Sequence, residues 1–177
     1  MINNKRPVNT PADVQGVNYR VMQNPVFIDM FNSLGGAAVP MAWGETFTAV
    51  QQGTIDGLEI PVAVIEANKY HEVTKFLSLT NHTYSMIALV MGKRSLDKLT
   101  TEQRAVVLAA AKSATAIQRQ VTGADVANII ASLQKSGMKV NSPASLDPFR
   151  KSVAPVYDKF RKTDAGPLLD VALAAAK

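Results

Sequence analysis

Arg20 is the residue with the clearest binding chemistry in this sequence. It lies in a short β-type segment, residues 19–22, just before Asn24 and Pro25, and proline favours the first turn of a helix. A guanidinium group fixed in this way is a planar fork that clamps a carboxylate through two parallel hydrogen bonds. The sequence therefore predicts an anion-binding site, although an arginine on the surface or paired within the core is the commoner arrangement.

Two other residues near predicted helix starts have roles that the sequence leaves open. Trp43 is the single tryptophan of the chain and begins a predicted helix, where a core anchor is the simplest role for so large a side chain. Asn24 fits a helix cap or a turn residue, and we retain it as a candidate for a pocket contact. Both residues follow short β-type segments.

Catalytic and metal-binding constellations are not predicted. Nothing in the spacing brings Glu45 and Glu59 together as an acid/base pair, and His71 and His82 lack the partners of a metal site or a catalytic triad. The absence of cysteine excludes disulfides and thiol catalysis. The sequence thus predicts a binding protein without metal or cofactor, and a hydrolase or lyase is the least favoured class.

Composition narrows the class of protein further. The 177 residues suffice for one domain, or for one and a piece, and 47% of them are hydrophobic. The net charge of +5 is scattered, which does not favour nucleic-acid binding. No apolar run reaches the roughly 20 residues of a transmembrane helix, and residues 1–7 are not followed by the apolar stretch of a secretory signal.

The elements that must position Arg20 alternate between strand and helix. We predict strands over residues 17–22, 37–41, 55–62 and 76–79, and helices from Pro25, over residues 43–52 and over residues 64–73. Residues 84–91 form a near-continuous apolar run that predicts a buried strand. This alternation is typical of an α/β sheet covered on both faces.

The second half of the chain is predicted to be helical. Thr100 and Gln103 form a capping-box start, and a single helix is predicted from residue 101 to about residue 136, ended by Gly137. At about 1.5 Å per residue it would reach roughly 50 Å, which is longer than one domain of this size requires. Two further helices are predicted, one from Asp147 with a break near Pro155 and one over residues 166–177.

The whole chain resembles the C-terminal part of the solute-binding proteins of TRAP transporters, the DctP-type family. The resemblance is carried by these segments in this order: residues 4–13 (NKRPVNTPAD), 19–21 (YRV), 24–25 (NP), 40–45 (PMAWGE), 51–61 (QQGTIDGLEIP), 72–77 (EVTKFL) and 80–82 (TNH). Together they are specific, whereas one of them alone would not be.

The resemblance implies a periplasmic-binding-protein-like type II fold that closes around a small organic acid and delivers it to a sodium-coupled permease. In the family, the arginine matching Arg20 receives the ligand carboxylate and the aromatic residue matching Trp43 forms the pocket wall. The position of Ile60 is usually an asparagine that contacts the same carboxylate, so one polar contact is replaced here by an apolar side chain. The protein is expected to be periplasmic and to have no enzymatic activity.

Relative to the family pattern, the chain is expected to be truncated. We predict the second ligand-binding lobe over residues 1–85, a crossover strand and long lobe-spanning helix over residues 86–136, and C-terminal helices packing back on the lobe over residues 137–177. The face left by the missing lobe is expected to be apolar and to allow self-association. The alternatives are an interaction module that acts through the long helix without a ligand, and a non-functional fragment.

Overall fold

A six-stranded sheet forms the centre of the fold, with helices on both faces. The computed structural model describes residues 1–175. The strands are β1 (Ile2–Asn3), β2 (Asn18–Val21), β3 (Ala37–Pro40), β4 (Gly57–Leu58), β5 (Phe76–Ser78) and β6 (Lys139–Asn141). The helices are α1 (Pro25–Ser33), α2 (Trp43–Gln51), α3 (Val62–Ala67), α4 (Lys93–Leu96), α5 (Thr101–Lys135), α6 (Asp147–Ser152), α7 (Ala154–Phe160) and α8 (Gly166–Ala175), with 3₁₀ helices at Pro11–Val14 and Tyr70–Glu72.

The order of the strands brings the ends of several of them to one edge. The sheet runs β3-β2-β4-β1-β5-β6. β2 pairs in parallel with β3 and β4, and β5 with β6, whereas β1 is antiparallel to β4 and β5. Five strands therefore share one direction, and the strand order reverses between β2 and β4. In open α/β sheets, ligands bind outside the carboxyl ends of the strands at such a reversal.

Apolar side chains cover both faces of the sheet. Since successive strand residues point to opposite faces, Tyr19 and Val21 pack with Phe31 of α1 on one face, while Arg20 is directed to the other. That other face is covered by α2, α3 and the C-terminal end of α5, through Ala49, Val50, Ile65, Ile129 and Leu133. The α/β architecture with two covered faces is confirmed.

Gly57 allows β1 and β4 to approach each other closely. It pairs with Asn3 in the antiparallel ladder. A Cβ atom at this position would lie 2.0 Å from the carbonyl oxygen of Ile2 and 2.7 Å from the Cα of Asn3. Only glycine fits here, because any side chain at this position would push β4 away from β1.

Several predicted boundaries agree with the structure. Pro25 begins α1, Trp43 begins α2, and the capping box of Thr100 and Gln103 begins α5. The predicted break near Pro155 is confirmed by the division into α6 and α7. The last predicted helix is observed as α8 up to Ala175, and residues 176–177 lie outside the described residues.

Other predictions were too long or were missed. The strand predicted over residues 55–62 is reduced to β4, because Pro61 has no amide hydrogen for a ladder and precedes α3 directly. The helix predicted over residues 64–73 is divided between α3 and the second 3₁₀ helix by Lys69, whose φ is +56°. β1, β6 and α4 were not predicted. The division into three segments stays a prediction, although β6 places part of the third segment in the same sheet as the first.

The predicted buried strand at residues 84–91 is wrong for this structure. The segment belongs to no helix or strand, and its apolar side chains are exposed, with Ile87 93% accessible. A strand needs a neighbour to receive its backbone hydrogen bonds, and none of the strands in residues 1–175 pairs with this segment. The apolar run is therefore an uncovered surface rather than part of the core.

The long helix is confirmed, but its apolar stripe is mostly uncovered. α5 has 35 residues. Along one side of this helix, Ile129 and Leu133 near its C-terminal end are buried, whereas Val106, Ile117 and Val121 are exposed. Among the helices of residues 1–175, none combines the length and hydrophobicity that crossing a membrane requires.

Candidate functional site

The carboxyl ends of β2, β3 and β4 bring the predicted site residues to one edge of the sheet. Arg20 lies on β2 and is in register with Val39 of β3 and Leu58 of β4. Trp43 follows β3 as the first residue of α2, and Ile60 follows β4. The point at which the strand order reverses thus coincides with the residues singled out from the sequence.

Arg20 is buried but keeps most of its binding capacity. The residue is 6% exposed. Its Nε donates a hydrogen bond to the carbonyl oxygen of Met41, 3.1 Å away, which fixes the orientation of the guanidinium plane. Within residues 1–175 the two terminal nitrogens of Arg20 have no hydrogen-bond partner, and the side chain belongs to no ion pair. The planar fork is therefore available to an external carboxylate.

An aromatic group lies beside the guanidinium. The Cζ of Arg20 is 5.6 Å from the ring centroid of Trp43, within the range of a cation–π contact. The Trp43 ring lies 5.6 Å from that of Tyr70, whose ring is 5.4 Å from that of Phe47. Tyr70 is fully buried, while Trp43 is 42% exposed. Trp43 thus has one face anchored on the core and another accessible next to Arg20.

Glu59 and His82 form a buried pair, close to the carboxyl ends of β4 and β5, that the sequence did not reveal. Glu59 follows β4 and is 6% exposed. Its Oε2 lies 3.7 Å from Nε2 of His82, a residue shortly after β5. Nδ1 of His82 forms a 2.7 Å hydrogen bond with the hydroxyl of Thr80. The sequence signals were weak: Glu59 lies within the strand predicted over residues 55–62, and His82 comes shortly after the one predicted over residues 76–79.

The charges of this edge influence one another. Burial lowers the pKa of Arg20, and the carboxylate of Glu59 opposes that effect. Burial also lowers the pKa of His82, again opposed by Glu59. Burial raises the pKa of the Tyr70 hydroxyl, and Arg20 opposes this. Arg20 stays a cation over the physiological range, because the guanidinium reference pKa is so high.

Asn24 and Ile60 have local structural roles. The side-chain carbonyl of Asn24 accepts a hydrogen bond from the amide of Val26 at 2.9 Å, as an N-cap of α1 does. Ile60 is partly buried and packs against the core cluster on the Arg20 face. Their contact with a ligand stays a prediction, and for Asn24 only the amide nitrogen is left for it.

A separate cavity lies near this region. It measures about 340 Å³ and lies between α1, residues 80–83 and helices α6 to α8. None of Arg20, Trp43, Asn24 and Ile60 lines it, and its walls are mainly apolar. Across the described residues, no group of three or more acidic or histidine side chains could hold a metal ion.

Most of the chain is similar to one family of transport proteins. The family described as bacterial extracellular solute-binding protein, family 7 (DctP), matches residues 1–163. A solute-binding protein of Verminephrobacter eiseniae is 38% identical over 162 residues, which are 92% of this chain and 48% of that protein.

Solved structures give the same result. A TRAP periplasmic solute-binding protein from Polaromonas sp. JS666, bound to D-erythronate, matches 97% of this chain and 56% of its own length, with 42% identity and a TM-score of 0.90. Another, from Sulfitobacter sp. NAS-14.1 with bound β-D-galacturonate, matches 90% of this chain and 53% of its own, with 36% identity and a TM-score of 0.80. The chain spans about half the length of these relatives.

Proposed function

The chain belongs to the bacterial extracellular solute-binding proteins of family 7, and from this membership we propose that it provides the arginine side of an organic-acid site in the periplasmic subunit of a TRAP transporter. The observation that carries the proposal is the fork of Arg20, which is held in place by Met41 yet is unpaired within residues 1–175. A buried guanidinium whose terminal nitrogens have no acceptor is costly unless a ligand supplies one.

In the proposed site, Arg20 binds the carboxylate and Trp43 covers an apolar part of the ligand. A charge-assisted hydrogen bond contributes about 1.5–3 kcal/mol, so the fork gives orientation and part of the affinity rather than all of it. Ile60 cannot donate to the carboxylate, which leaves Arg20 as the main polar contact on this side. The similar structures contain D-erythronate and β-D-galacturonate, and we propose a hydroxylated carboxylic acid for this chain as well.

We propose that the exposed apolar surface of residues 84–91 and of the first three quarters of α5 is buried in the functional binding protein. In the mechanism that we propose, binding of the acid favours a closed state, and the membrane permease recognises that state. By itself, the 177-residue chain is expected to bind acids weakly and to self-associate through the same apolar surface.

The experiment is a titration of the 177-residue chain with D-erythronate and D-galacturonate, followed by calorimetry and by the fluorescence of its single tryptophan. Because Trp43 lies next to Arg20, a ligand at the fork should change its emission in a saturable way. Loss of the fork in Arg20→Ala should weaken binding about 10- to 150-fold, the equivalent of 1.5–3 kcal/mol. Arg20→Lys, which keeps the charge but not the fork, should give an intermediate value.

Arg119→Ala is the matched control, since this arginine is exposed on α5. It should bind like the wild type. A response that is absent at millimolar ligand, or that is equal in Arg20→Ala and Arg119→Ala, would refute the proposed site.

A second candidate function is an interaction module without a ligand. It is favoured by one observation, the exposure of Val106, Leu108, Ile117 and Val121 along α5. In that case Arg20→Ala would leave the state of association of the chain unchanged, while charged substitutions on α5 would change it.

A further inference from the structure

The guanidinium group of Arg20 lies between the segments that follow β3 and β4. Its Nε donates a hydrogen bond to the carbonyl oxygen of Met41, the residue directly after β3. β2 is parallel to both neighbouring strands, and Arg20 is opposite Leu58 of β4. Continued along the chain, these registers place Met41 and Ile60 at the same height, one on each side of β2. The fork therefore has Met41 and Trp43 on one flank and Ile60 on the other.

Ile60 faces the same side of the sheet as Arg20. Because side chains alternate between the two faces along a strand, Leu58 and Ile60 point to one face and Glu59 to the other. Both apolar residues pack in the core cluster that covers the Arg20 face. Glu59 instead lies beside His82, whose ring contacts the cluster on the opposite face. The acidic side chain of this segment is thus directed away from the fork.

The two flanks of the fork are apolar. On the β3 side, the ring of Trp43 lies 5.6 Å from the Cζ of Arg20 and is 42% exposed. On the β4 side, Ile60 is followed by Pro61 and by Val62, the first residue of α3. No side chain of residues 60–62 can donate or accept a hydrogen bond. A ligand hydroxyl group placed against this flank would lose its water without gaining a side-chain partner, which opposes binding.

We propose that Ile60 selects for an alkyl group, rather than a hydroxyl group, on the β carbon of the bound acid. The inference rests on the proposed function, since it requires the carboxylate to bind at Arg20. With the carboxylate in the fork, the α carbon lies next to the guanidinium, and the β carbon carries the first branch that can contact Ile60. An alkyl group there leaves water for an apolar surface, which favours binding. The preferred ligands are therefore hydroxy acids that are alkylated at the β carbon.

Two short acids isolate the exchange of a hydroxyl group for a methyl group. α-Hydroxyisovalerate and α,β-dihydroxybutyrate, used with the same configuration at the α carbon, differ only in that one methyl group on the β carbon is replaced by a hydroxyl group. Their charges are equal, so the attraction to Arg20 is the same for both. From the burial of one methyl group, the wild-type chain should bind α-hydroxyisovalerate at least about fourfold more tightly, measured by the fluorescence of Trp43.

Ile60→Asn should reverse this preference, because the amide can bond the β-hydroxyl group and the apolar contact is lost. The ratio of the two affinities should change about fivefold or more. Ile60→Leu keeps an apolar side chain of equal size and should keep the preference for α-hydroxyisovalerate. Ile117→Asn is the control, since this side chain is 61% exposed on α5, and it should keep the wild-type ratio. Circular dichroism and urea unfolding establish whether Ile60→Asn is folded, and if it is not, the wild-type ratio alone decides.

The outcomes separate the alkyl preference from the carboxylate site itself. If wild type binds the two short acids equally, or binds α,β-dihydroxybutyrate more tightly, the alkyl preference is refuted while the carboxylate site stands. The same conclusion follows if folded Ile60→Asn keeps the wild-type ratio, or if wild type binds D-erythronate but not α-hydroxyisovalerate. If none of these acids binds to wild type, the proposed function fails and the preference fails with it.

Discussion

Replacement of Gly57 by alanine should damage the centre of the sheet. The added Cβ would lie 2.0 Å from the carbonyl oxygen of Ile2 and 2.7 Å from the Cα of Asn3, and both of these are backbone atoms that cannot rotate away. β4 must therefore move away from β1, with loss of ladder hydrogen bonds. Overpacking of a core typically costs about 1–3 kcal/mol, and a backbone collision belongs at the upper end or beyond it.

Gly123→Ala provides the matched control. Gly123 lies inside α5, and a Cβ built there meets nothing within 4 Å. Since alanine is favoured over glycine in a helix interior by about 1 kcal/mol, this substitution should stabilise the chain slightly. The same chemical change is thus expected to have opposite signs at the two glycines.

Urea unfolding, followed by circular dichroism, measures both free energies of unfolding. We expect Gly57→Ala to lose about 3 kcal/mol, which for a chain of this size also lowers Tm by roughly 6–12 °C. Because β4 leads directly into Glu59 and Ile60, the variant should also bind acids more weakly. An unfolding free energy within about 0.5 kcal/mol of wild type would refute the close approach of β1 and β4.

Two further predictions concern the histidine and the apolar surface. Burial lowers the pKa of His82 in the folded state. The neutral imidazole therefore contributes its full stabilisation above the unfolded pKa of about 6.5. This stabilisation is lost as the pH falls from about 6.5 through the lower pKa of the folded state. The free energy of unfolding, measured in urea at several values between pH 8 and pH 5, should therefore fall more steeply for wild type than for His82→Gln, and an equal slope would contradict the buried neutral imidazole. Ile87→Lys with Val90→Lys, at side chains that are 93% and 82% exposed, should reduce self-association in sedimentation velocity without changing thermal stability. Gln134→Lys, at an exposed position near the C-terminal end of α5, is the control, and a loss of stability in the double variant would show that residues 84–91 are packed.

Local signals explain the parts of the fold that the sequence predicts well. Thr100 and Gln103 define the start of α5, and Gly137, with a φ of +96°, follows its end. These features involve neighbouring residues, so they are visible in one pass along the chain. The same holds for Arg20, because its place in a strand before a helix start follows from the adjacent residues.

Long-range pairing explains the parts that were missed. β1 and β6 have two and three residues, too few for any periodic pattern. Glu59 and His82 meet each other only because the strand order is not the chain order, and a single sequence does not contain that order. The strand predicted over residues 84–91 was wrong because an apolar pattern indicates a need for burial, whereas a strand also requires a neighbour to pair with.

The place of β1 in the sheet has a consequence for the order of assembly. Ile2 pairs with Leu58 on one side and with Leu77 on the other, so this strand is translated long before either of its neighbours exists. Two large loops must close before the middle of the sheet can form, and distant pairings of this kind slow the search for the native state. We therefore expect the pairing of β1 to wait until residues 57–78 have left the ribosome, with Ile2 and Asn3 unpaired until then.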